Sequence, residues 1–583
     1  MRTYNGRVIV RSAAALTVLV LFVSCGAERQ DHQSGAAPIA EPEWFTDRAR
    51  ETGLDFVHVN GMSGGFYMAE ILAPGVALFD YDNDGDLDVY LVQGRMLGTR
   101  PPIAQQGPAR GGRLFRNDLE VRADGTRTLR FTDVTEASGI DARGYGMGVA
   151  AGDINNDGCV DLYFTSFGAA QMYRNNCDGT FTDVTKQSGT ANPGWSVSAA
   201  FVDFDRDGWL DLYVGNYLRY TLESDTTCFS SSGARDYCTP KTYAALPDRL
   251  YRNQHDGTFA DVSAMAGIAR EFGPALGIVT ADFNGDGWID IYVANDGQDN
   301  QLWINQRNGT FTNTALLSGA ALTAEGKAEA SMGIDAGDFD NDGDEDLFMT
   351  EQTGEGANLY VNDGTGTFED RSVRSGLGAA TLPYTGFGTA LVDADNDGWL
   401  DILTVNGAVQ TIQALAQAHD RFPLHQRKQL FRNLGNGTFE DATRRGGAAF
   451  QISEVSRGAA FGDIDNDGDV DVVVGNNNGP TRLFINNVGS RAHWLGLRLT
   501  GGKGPRDMLG ARAEIIRKDR PTLWRRVHAD GSYASAGDPR ILAGLGDSKE
   551  RPTVRVRWPS GHVEEWHDVP IDRYTTLKEG TAK

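Results

Sequence analysis

Seven short acidic segments carry the residues whose types and spacing could do chemistry in this sequence. Each spans nine residues with the pattern D-x-[DN]-x-D-G-x-x-D, as in residues 80–88, which read Asp-Tyr-Asp-Asn-Asp-Gly-Asp-Leu-Asp. Side-chain oxygens at positions 1, 3, 5 and 9 and the position-7 carbonyl would surround one hard cation, and glycine at position 6 permits a sharp turn between ligands. The pattern therefore predicts up to seven Ca²⁺ sites.

Five residues in each segment are predicted ligands, and position 7, whose residue type varies, would contribute only its carbonyl oxygen. In chain order they are Asp80, Asp82, Asp84, Asp86 and Asp88; Asp153, Asn155, Asp157, Cys159 and Asp161; Asp203, Asp205, Asp207, Trp209 and Asp211; Asp282, Asn284, Asp286, Trp288 and Asp290; Asp338, Asp340, Asp342, Asp344 and Asp346; Asp393, Asp395, Asp397, Trp399 and Asp401; and Asp463, Asp465, Asp467, Asp469 and Asp471.

The acidic segments could also be simple hairpin turns or EF-hand loops. Asp-Gly pairs also favour hairpin turns, but a turn alone does not need four oxygen-bearing side chains at fixed offsets seven times over. An EF-hand would place Glu at position 12, whereas these segments close with Asp at position 9 and continue into strand-like sequences such as Asp-Leu-Tyr-Phe at 161–164. A calcium loop that leads into a β-strand remains the favoured interpretation.

The acidic segments belong to a longer repeat that must position them. A glycine stands five residues before six of the loops, and Ser198 takes its place in the third unit. After each loop come a hydrophobic strand and a Leu-Phe-Arg-Asn-like strand, and in most units Gly-Thr-Phe-x-Asp follows. Four strands per unit predict the blades of an all-β, seven-bladed propeller. The seventh unit lacks its last strand, so we expect Phe45-Thr46-Asp47 to complete it and close the ring.

These motifs resemble the FG-GAP/VCBS repeat family over residues 43–488, which implies that the calcium loops join the first two strands of each blade. Beyond them, residues 493–499, 510–515 and 554–561 alternate like half-buried strands. This region, 489–580, resembles the ASPIC/UnbV domain of the cartilage acidic protein-like family. We expect it to form a small β-sandwich-like domain.

The charge and composition limit the classes of partner that the protein is expected to bind. The 583 residues carry a formal net charge of −25, and seven Ca²⁺ ions would add 14 positive charges and leave −11. The acidity is thus largely that of predicted ligands. Because the chain shows no basic stripe, it is not expected to bind nucleic acid. We expect a monomer whose partner is an extracellular protein or a glycan.

The N-terminus predicts export. Arginines precede an apolar run at 13–23 that is short for a membrane span, so residues 1–25 read as a signal peptide. Its end, Phe22-Val23-Ser24-Cys25-Gly26, is similar to a lipobox, which would put a lipid on Cys25 and leave residues 26–42 as a linker. The protein would then be lipid-anchored at the cell envelope or surface, its only membrane association, or otherwise secreted or periplasmic. Sequence order suggests the disulfides Cys159–Cys177 and Cys228–Cys238.

The sequence signal for catalytic groups is weaker than the signal for the calcium loops. Counting back from the loops places five residues and Arg457 around the opposite mouth of the propeller, where a funnel could bind a ligand. These five are Tyr145, Trp195, Glu329, Tyr384 and Glu454. His58, Tyr67 and Glu70 could supply acid/base groups, but we favour a structural role in the long first connection.

Tryptophans and histidines of the C-terminal domain suggest a sugar platform or a metal site, although sandwich core is the preferred interpretation. They are Trp494, Trp524, Trp558, Trp566, His493, His528, His562 and His567. The sequence thus favours a non-enzymatic, exported calcium-binding scaffold for binding or adhesion. The alternative is an extracellular enzyme acting on glycans in the funnel.

Overall fold

The repeat forms seven four-stranded antiparallel sheets. The computed structural model describes residues 42–98, 111–420, 422–502 and 504–582. From first to fourth strand, the sheets within those residues are Val76–Phe79, Asp88–Leu91, Arg113–Asn117 and Phe131–Asp133; Tyr145–Gly152, Asp161–Phe167, Gln171–Asn175 and Phe181–Asp183; Ser196–Val202, Asp211–Asn216, Arg249–Asn253 and Phe259–Asp261; Ala275–Ala281, Asp290–Asn295, Gln301–Asn305 and Phe311–Asn313; Ile334–Gly337, Asp346–Met349, Asn358–Asn362 and Phe368–Asp370; Gly386–Val392, Asp401–Asn406, Gln429–Asn433 and Phe439–Asp441; and Ser456–Gly462, Asp471–Asn476, Arg482–Asn486 and Phe45–Asp47.

The seven sheets close into a ring around the first strand of each. These first strands contact one another in chain order, and the first strand of the seventh sheet returns to that of the first sheet. Phe45–Asp47 pairs antiparallel with Arg482–Asn486, with Phe45 opposite Asn486. The expected closure by the N-terminal strand is therefore confirmed. It removes the unpaired edge that the third strand of the last sheet would otherwise present.

Hydrophobic cores fill the spaces between neighbouring sheets. The second strands are buried throughout in most sheets because both of their faces meet another sheet. The phenylalanine that begins a fourth strand packs on the residue after the first loop aspartate in the preceding unit: the ring centroids of Phe204 and Phe311 are 5.8 Å apart, and those of Phe283 and Phe368 are 6.0 Å apart. The recurrent Phe-x-Asp motif is thus a contact between units.

Two packed sheets form the C-terminal domain. Three strands make one sheet, His493–Thr500 between Ile541–Gly546 and Tyr574–Lys578. The other contains Leu523–Arg526, Arg512–Ile516, Thr553–Arg557 and Val563–Trp566, in that spatial order. Side chains from both sheets share one core that includes Leu497, Ile515 and Trp558, so the expected sandwich-like arrangement is confirmed.

The remaining elements are short connections. The α-helices among the described residues are Ala49–Thr52, Thr135–Ser138, Thr185–Ser188, Ser263–Ala266, Leu377–Thr381, Gln413–Gln417 and Gly447–Gln451; the 3₁₀ turns are Met68–Ile71, Leu222–Ser224, Pro240–Thr242, Ile268–Arg270 and Gly489–Arg491; and two hairpins pair Glu120–Val121 with Arg127–Thr128 and Cys228–Phe229 with Arg235–Asp236. No helix in the described part of the chain is long and apolar enough to cross a membrane.

Candidate metal centre

Each acidic segment is the loop between the first and second strands of its sheet. The second strand begins at the position-9 aspartate in all seven sheets. The position-6 glycine has a φ between +87° and +105°. This left-handed conformation is unfavourable for residues that carry a Cβ. Its amide donates to Oδ2 of the position-1 aspartate at 2.7–3.1 Å in every loop. The glycine therefore turns the chain and fixes the first carboxylate.

The position-9 aspartate anchors the loop to its own sheet. Its Oδ2 accepts from the position-2 amide, as in Tyr81 to Asp88 at 2.8 Å. Its Oδ1 accepts from the backbone amide of the asparagine that ends the third strand, at 2.7–2.9 Å in all seven units. All seven position-9 aspartates, including Asp88, are fully buried. Each is held by the hydrogen bonds that a buried carboxylate requires.

The same asparagines connect each loop to the loop before it. Their Nδ2 groups donate to the position-2 carbonyl oxygen of the preceding unit at 2.8–2.9 Å. The pairs are Asn117 with Ile464, Asn175 with Tyr81, Asn253 with Ile154, Asn305 with Phe204, Asn362 with Phe283, Asn433 with Phe339 and Asn486 with Ala394. The Leu-Phe-Arg-Asn motif marked these residues in the sequence, but nothing there showed that they join the seven loops into one continuous ring.

Carboxylates in the loops converge without enough donors to satisfy them. In at least four loops, three carboxylates lie with oxygens within 4.8 Å of one another, for example those of Asp203, Asp205 and Asp211. The Oδ1 atoms of Asp203, Asp282, Asp340, Asp393, Asp395 and Asp465 are buried and lack a hydrogen-bond partner. Burial raises the pKa of Asp393 and Asp463 to about 7. Buried acceptors that face one another are the donor set that a hard cation satisfies, so these residues fit Ca²⁺.

Arginines reach some loops from outside the converging oxygens. Arg432 donates to Asp395 and Asp397 at 2.7 Å each, and Arg307 lies 2.8 Å from Asp286. At position 7, the guanidinium of Arg206 covers Trp288, and Cys159 is bonded to Cys177. The position-7 aspartate of the seventh loop, Asp469, is instead 0% exposed and its Oδ1 lacks a hydrogen-bond partner, so the use of the position-7 carbonyl alone stays a prediction.

The C-terminal domain covers the loop face of the propeller. The Gly544 amide donates to Oδ2 of Asp393 at 3.1 Å, and the Tyr574 hydroxyl donates to Oδ2 of Asp463 at 3.0 Å. Arginines reach other loops: Nη2 of Arg506 is 3.6 Å from Asp203, and Arg512 donates to the Gly343 carbonyl. The domain thus contacts the loops mainly at the position-1 carboxylate and the position-6 glycine.

Residues 530–536, here called the plug segment, enter the centre of the ring and are buried. The segment forms hydrogen bonds with the first strand of every sheet, through Val76 and Leu78, Val149, Ser198, Ile278, Ile334, Thr389 and Ala459. The recurrent glycine before the loop makes room for the plug segment in the first unit, where a Cβ on Gly75 would lie 1.8 Å from the Ala534 carbonyl oxygen, and for the next first strand in the fifth, where a Cβ on Gly333 would lie 1.8 Å from the Phe387 carbonyl oxygen. Ser198, the exception to that glycine, instead accepts from the Ala534 amide at 3.1 Å.

Family comparisons agree with these two structural regions. A model of the FG-GAP-like repeat matches residues 153–214, 237–293, 282–349, 338–404 and 425–474, and a model described as ASPIC and UnbV matches residues 501–583. The chain is an FG-GAP repeat protein with a C-terminal ASPIC/UnbV domain. It is homologous to cartilage acidic protein 1 of Mus musculus, at 25% identity over 84% of this chain and 71% of the relative, and of Homo sapiens, at 25% over 84% and 69%.

Solved structures give more distant likenesses. A lectin from Agrocybe aegerita, described as recognising non-reducing terminal N-acetylglucosamine, is 16% identical with a TM-score of 0.35 over 63% of this chain and 79% of its own. The Dos1 propeller is 9% identical with a TM-score of 0.32 over 70% and 91%. Likenesses of this size support no inference about a ligand.

The end of the FG-GAP propeller opposite the loops is not the open funnel that we expected. Tyr145 and Trp195 are each 2% exposed and lie in one cluster with Tyr217, Tyr237 and Tyr533, which we call the aromatic cluster. The excursion closed by the Cys228–Cys238 disulfide supplies Tyr237, and the plug segment supplies Tyr533. These chain segments are remote in sequence, which is why counting back from the loops did not show that they fill the mouth.

The other predicted funnel residues have local partners. Glu454 is 2.6 Å from both Lys428 and Arg482, and Glu329 is 3.3 Å from Lys327. Arg457 is fully buried, and its guanidinium donates to backbone carbonyls that include Gly407 at 2.8 Å. Tyr384 is partly exposed. These side chains support the ring and its connections; the structure does not gather them at one open site.

Of the candidate acid/base groups of the first unit, His58 and Glu70 are buried and Tyr67 is half-buried. Burial lowers the pKa of His58 to about 3, and its Nε2 accepts from the Gly94 amide at 3.2 Å. Glu70 is 0% exposed, its Oε2 accepts from the Tyr237 hydroxyl at 3.2 Å, and burial raises its pKa to about 7. Tyr67 lies against Gly65 and Gly98. The favoured structural role agrees with these positions.

The tryptophans and histidines of the ASPIC/UnbV domain lie in different parts of the domain and do not form one site. Trp494 and Trp558 are buried, Trp566 packs on Trp558, and Trp524 lies against Gly343 of the fifth loop. The histidines lie near four different carboxylates: His493 near Asp572, His528 near Asp530, His562 near Glu564 and His567 near Glu565. The sandwich-core interpretation therefore holds for Trp558 and for Trp566, which packs against the core. Trp494 and Trp524 lie against Gly468 and Gly343, the position-6 glycines of the seventh and fifth loops, and belong to the surface between the domains.

Proposed function

We propose that the protein is an exported calcium-binding scaffold in which Ca²⁺ holds the FG-GAP loops and the ASPIC/UnbV domain together as one binding unit. The observation that carries the proposal is the set of buried, partnerless carboxylate oxygens that converge in the loops. Each loop offers side-chain oxygens from positions 1, 3, 5 and 9 together with the position-7 carbonyl. Such all-oxygen sets suit Ca²⁺ better than softer metals.

Calcium would act mainly on structure. The loop carboxylates are packed beneath the ASPIC/UnbV domain, and like-charge repulsion between them would oppose that packing if no cation were bound. Bound ions would neutralise the loops and fix the position-1 carboxylates and position-6 carbonyls that the domain contacts. The outer surface of this single unit would then bind an extracellular protein or a glycan.

The calcium content of metal-free and reloaded protein tests the proposal. Elemental analysis after dialysis is expected to find up to seven Ca²⁺ per chain, and Asp393→Asn to lose about one ion because Asn carries no charge at position 1. Asp256→Asn, in an exposed Asp-Gly turn outside the nine-residue loops, is the matched control and should keep the full content. A content near zero in the unaltered protein would refute the proposal.

Export is supported by the two disulfides, whose pairing agrees with the expected pairs. Disulfides persist in oxidising compartments. The expected signal peptide, linker and lipobox-like Cys25 lie outside the described residues, and we retain lipid attachment at Cys25 as part of the proposal. Mass spectrometry of membrane-extracted protein should find an acylated N-terminal cysteine, whereas an unmodified N-terminus elsewhere would indicate a secreted or periplasmic protein.

A further inference from the structure

A cavity of about 310 Å³ lies between the propeller and the ASPIC/UnbV domain, beside the first and second loops. Its volume is at the lower end of the range for small-molecule pockets, about 300–1,000 Å³. One wall is apolar, formed by Leu78, Phe79, Leu87, Val160, Leu509 and Pro539. The lining also carries the guanidinium groups of Arg498, Arg506 and Arg540 and the carboxylates of Asp80, Asp153, Asp507 and Asp538.

Two of these arginines are already paired within the protein. Arg498 donates from Nε to Asp507 at 2.9 Å, and Arg540 lies 2.9 Å from Asp538. Arg540 also donates to the Asp463 carbonyl at 2.9 Å and to Asn466 at 2.8 Å. Their hydrogen-bonding capacity is therefore largely used by residues that line the cavity.

Arg506 differs from the other two. It is 5% exposed, and its nearest carboxylate, Asp203, lies 3.6 Å from Nη2, beyond ordinary hydrogen-bonding distance. Its Nη1 is buried and has no hydrogen-bond partner. A buried guanidinium nitrogen without an acceptor is costly, so it calls for an anionic or strongly polar group from outside the chain.

We propose that this cavity binds a small organic carboxylate with an apolar body, whose carboxylate accepts from Nη1 of Arg506 and whose body lies against Leu509 and the neighbouring apolar side chains. A single free guanidinium edge matches one carboxylate. The apolar wall favours a hydrocarbon chain or ring over a polar sugar or a bare inorganic anion. The site adjoins the proposed calcium centres, because Asp80 and Asp153 of the first and second loops also line the cavity and Asp203 of the third loop lies beside Arg506. Binding is therefore measured with calcium present.

Isothermal titration of the full chain in calcium-containing buffer with three probes separates the two contributions. Octanoate has both the charge and the apolar body, octan-1-ol has the body alone, and acetate has the charge alone. Octanoate is expected to bind at least about tenfold more tightly than either of the others, because octan-1-ol lacks the charge-assisted hydrogen bond and acetate lacks the apolar contact. Equal binding of octanoate and octan-1-ol, or binding of none of the three, would overturn the proposal.

Two variants locate the site. Arg506→Gln should weaken octanoate binding about ten- to a hundredfold and leave octan-1-ol unchanged, whereas Leu509→Trp should abolish both by filling the cavity. Arg555→Gln, at an exposed arginine outside the cavity lining, is the matched control for loss of a positive charge. Unchanged octanoate affinity in Arg506→Gln would overturn the assignment. If that variant fails to fold, loss of octanoate binding in folded Leu509→Trp supports the site and retention contradicts it.

Discussion

At the loop end of the propeller channel the ASPIC/UnbV domain meets seven groups of carboxylates. At the other end, tyrosines of the aromatic cluster donate to single carboxylates, Tyr237 to Glu70 and Tyr217 to Asp296. Both ends are buried, and the plug segment reaches from one to the other: Ser532 bonds to Ala459, and the Tyr533 hydroxyl donates to the Leu72 carbonyl at 2.8 Å. The comparison shows two ways of closing the same ring. One uses directed polar contacts and the proposed cations, and the other uses apolar packing.

The difference has energetic consequences. Apolar packing does not depend on solution conditions in the way that charge does, so the aromatic end should be insensitive to chelators. The loop end concentrates negative charge that only bound cations and a few arginines can offset. Four perturbations, taken from the largest expected effect to the smallest, should separate the two ends.

Removal of Ca²⁺ should have the largest effect and act at the loop end. With dissociation constants of about 10⁻⁴ to 10⁻³ M and free Ca²⁺ tenfold above them, each site would stabilise the folded state by about 1.4 kcal/mol. Seven independent sites would together contribute on the order of 10 kcal/mol. Denaturant unfolding with and without chelator measures the difference, and limited proteolysis should show release of the ASPIC/UnbV domain. A melting curve indifferent to chelator would mean that the loops are only turns.

Truncation of Tyr533 should have the next largest effect, because this side chain is 0% exposed and its ring lies 4.8 Å from that of Phe387. Tyr533→Ala should lower the free energy of unfolding by about 3–5 kcal/mol. Tyr533→Phe, which removes only the hydroxyl bond to Leu72, should cost about 1 kcal/mol. Both losses should persist in chelator. Equal effects of the two variants would contradict a packing role.

The pH dependence of stability should identify the contribution of Glu70 at the aromatic end. Burial raises the pKa of Glu70 from 4.5 to about 7, so the ionised form penalises the folded state at high pH. Glu70→Gln should match the unaltered protein below pH 4.5, gain relative stability as pH rises to about 7, and then stay ahead by up to about 3 kcal/mol. Urea unfolding across this range measures the gain. Exposed Glu120→Gln should show no such trend, and a pH-independent difference in Glu70→Gln would contradict the assignment.

A single loop substitution should have the smallest effect. Asp342→Ala removes the position-5 carboxylate of the fifth loop and should lose one ion and about 1.4 kcal/mol, since six loops remain. In chelator, denaturant unfolding should show nearly the same free energy of unfolding for this variant and the unaltered protein.

Loss of all bound Ca²⁺ in this one variant would show that the sites are coupled. The hydrogen bonds that Asn117 and the equivalent asparagines donate to the preceding loop would then be the connection to test.

The sequence by itself determined the features that arise from local spacing. The D-x-[DN]-x-D-G-x-x-D pattern predicted a loop between two strands, since glycine at position 6 and a buried aspartate at position 9 act within nine residues. Recurrence of Phe-x-Asp predicted the four-stranded units, and the missing strand after Asn486 predicted the pairing with Phe45. Short separation likewise made the two disulfide pairs accessible to prediction.

Only the tertiary structure decided what fills and covers the ring. Tyr533 is more than 300 residues from Tyr145 and Trp195, and no repeat or periodicity links the plug segment to the first strands that it contacts. The arginines that reach the loops, such as Arg506 and Arg512, stand in strands and turns whose sequence looks like an ordinary sandwich. Their positive charge, in a chain with an acidic repeat, was a signal that they could contact the loops. Which arginine meets which loop depends on how the two domains pack, and local sequence patterns do not encode that packing.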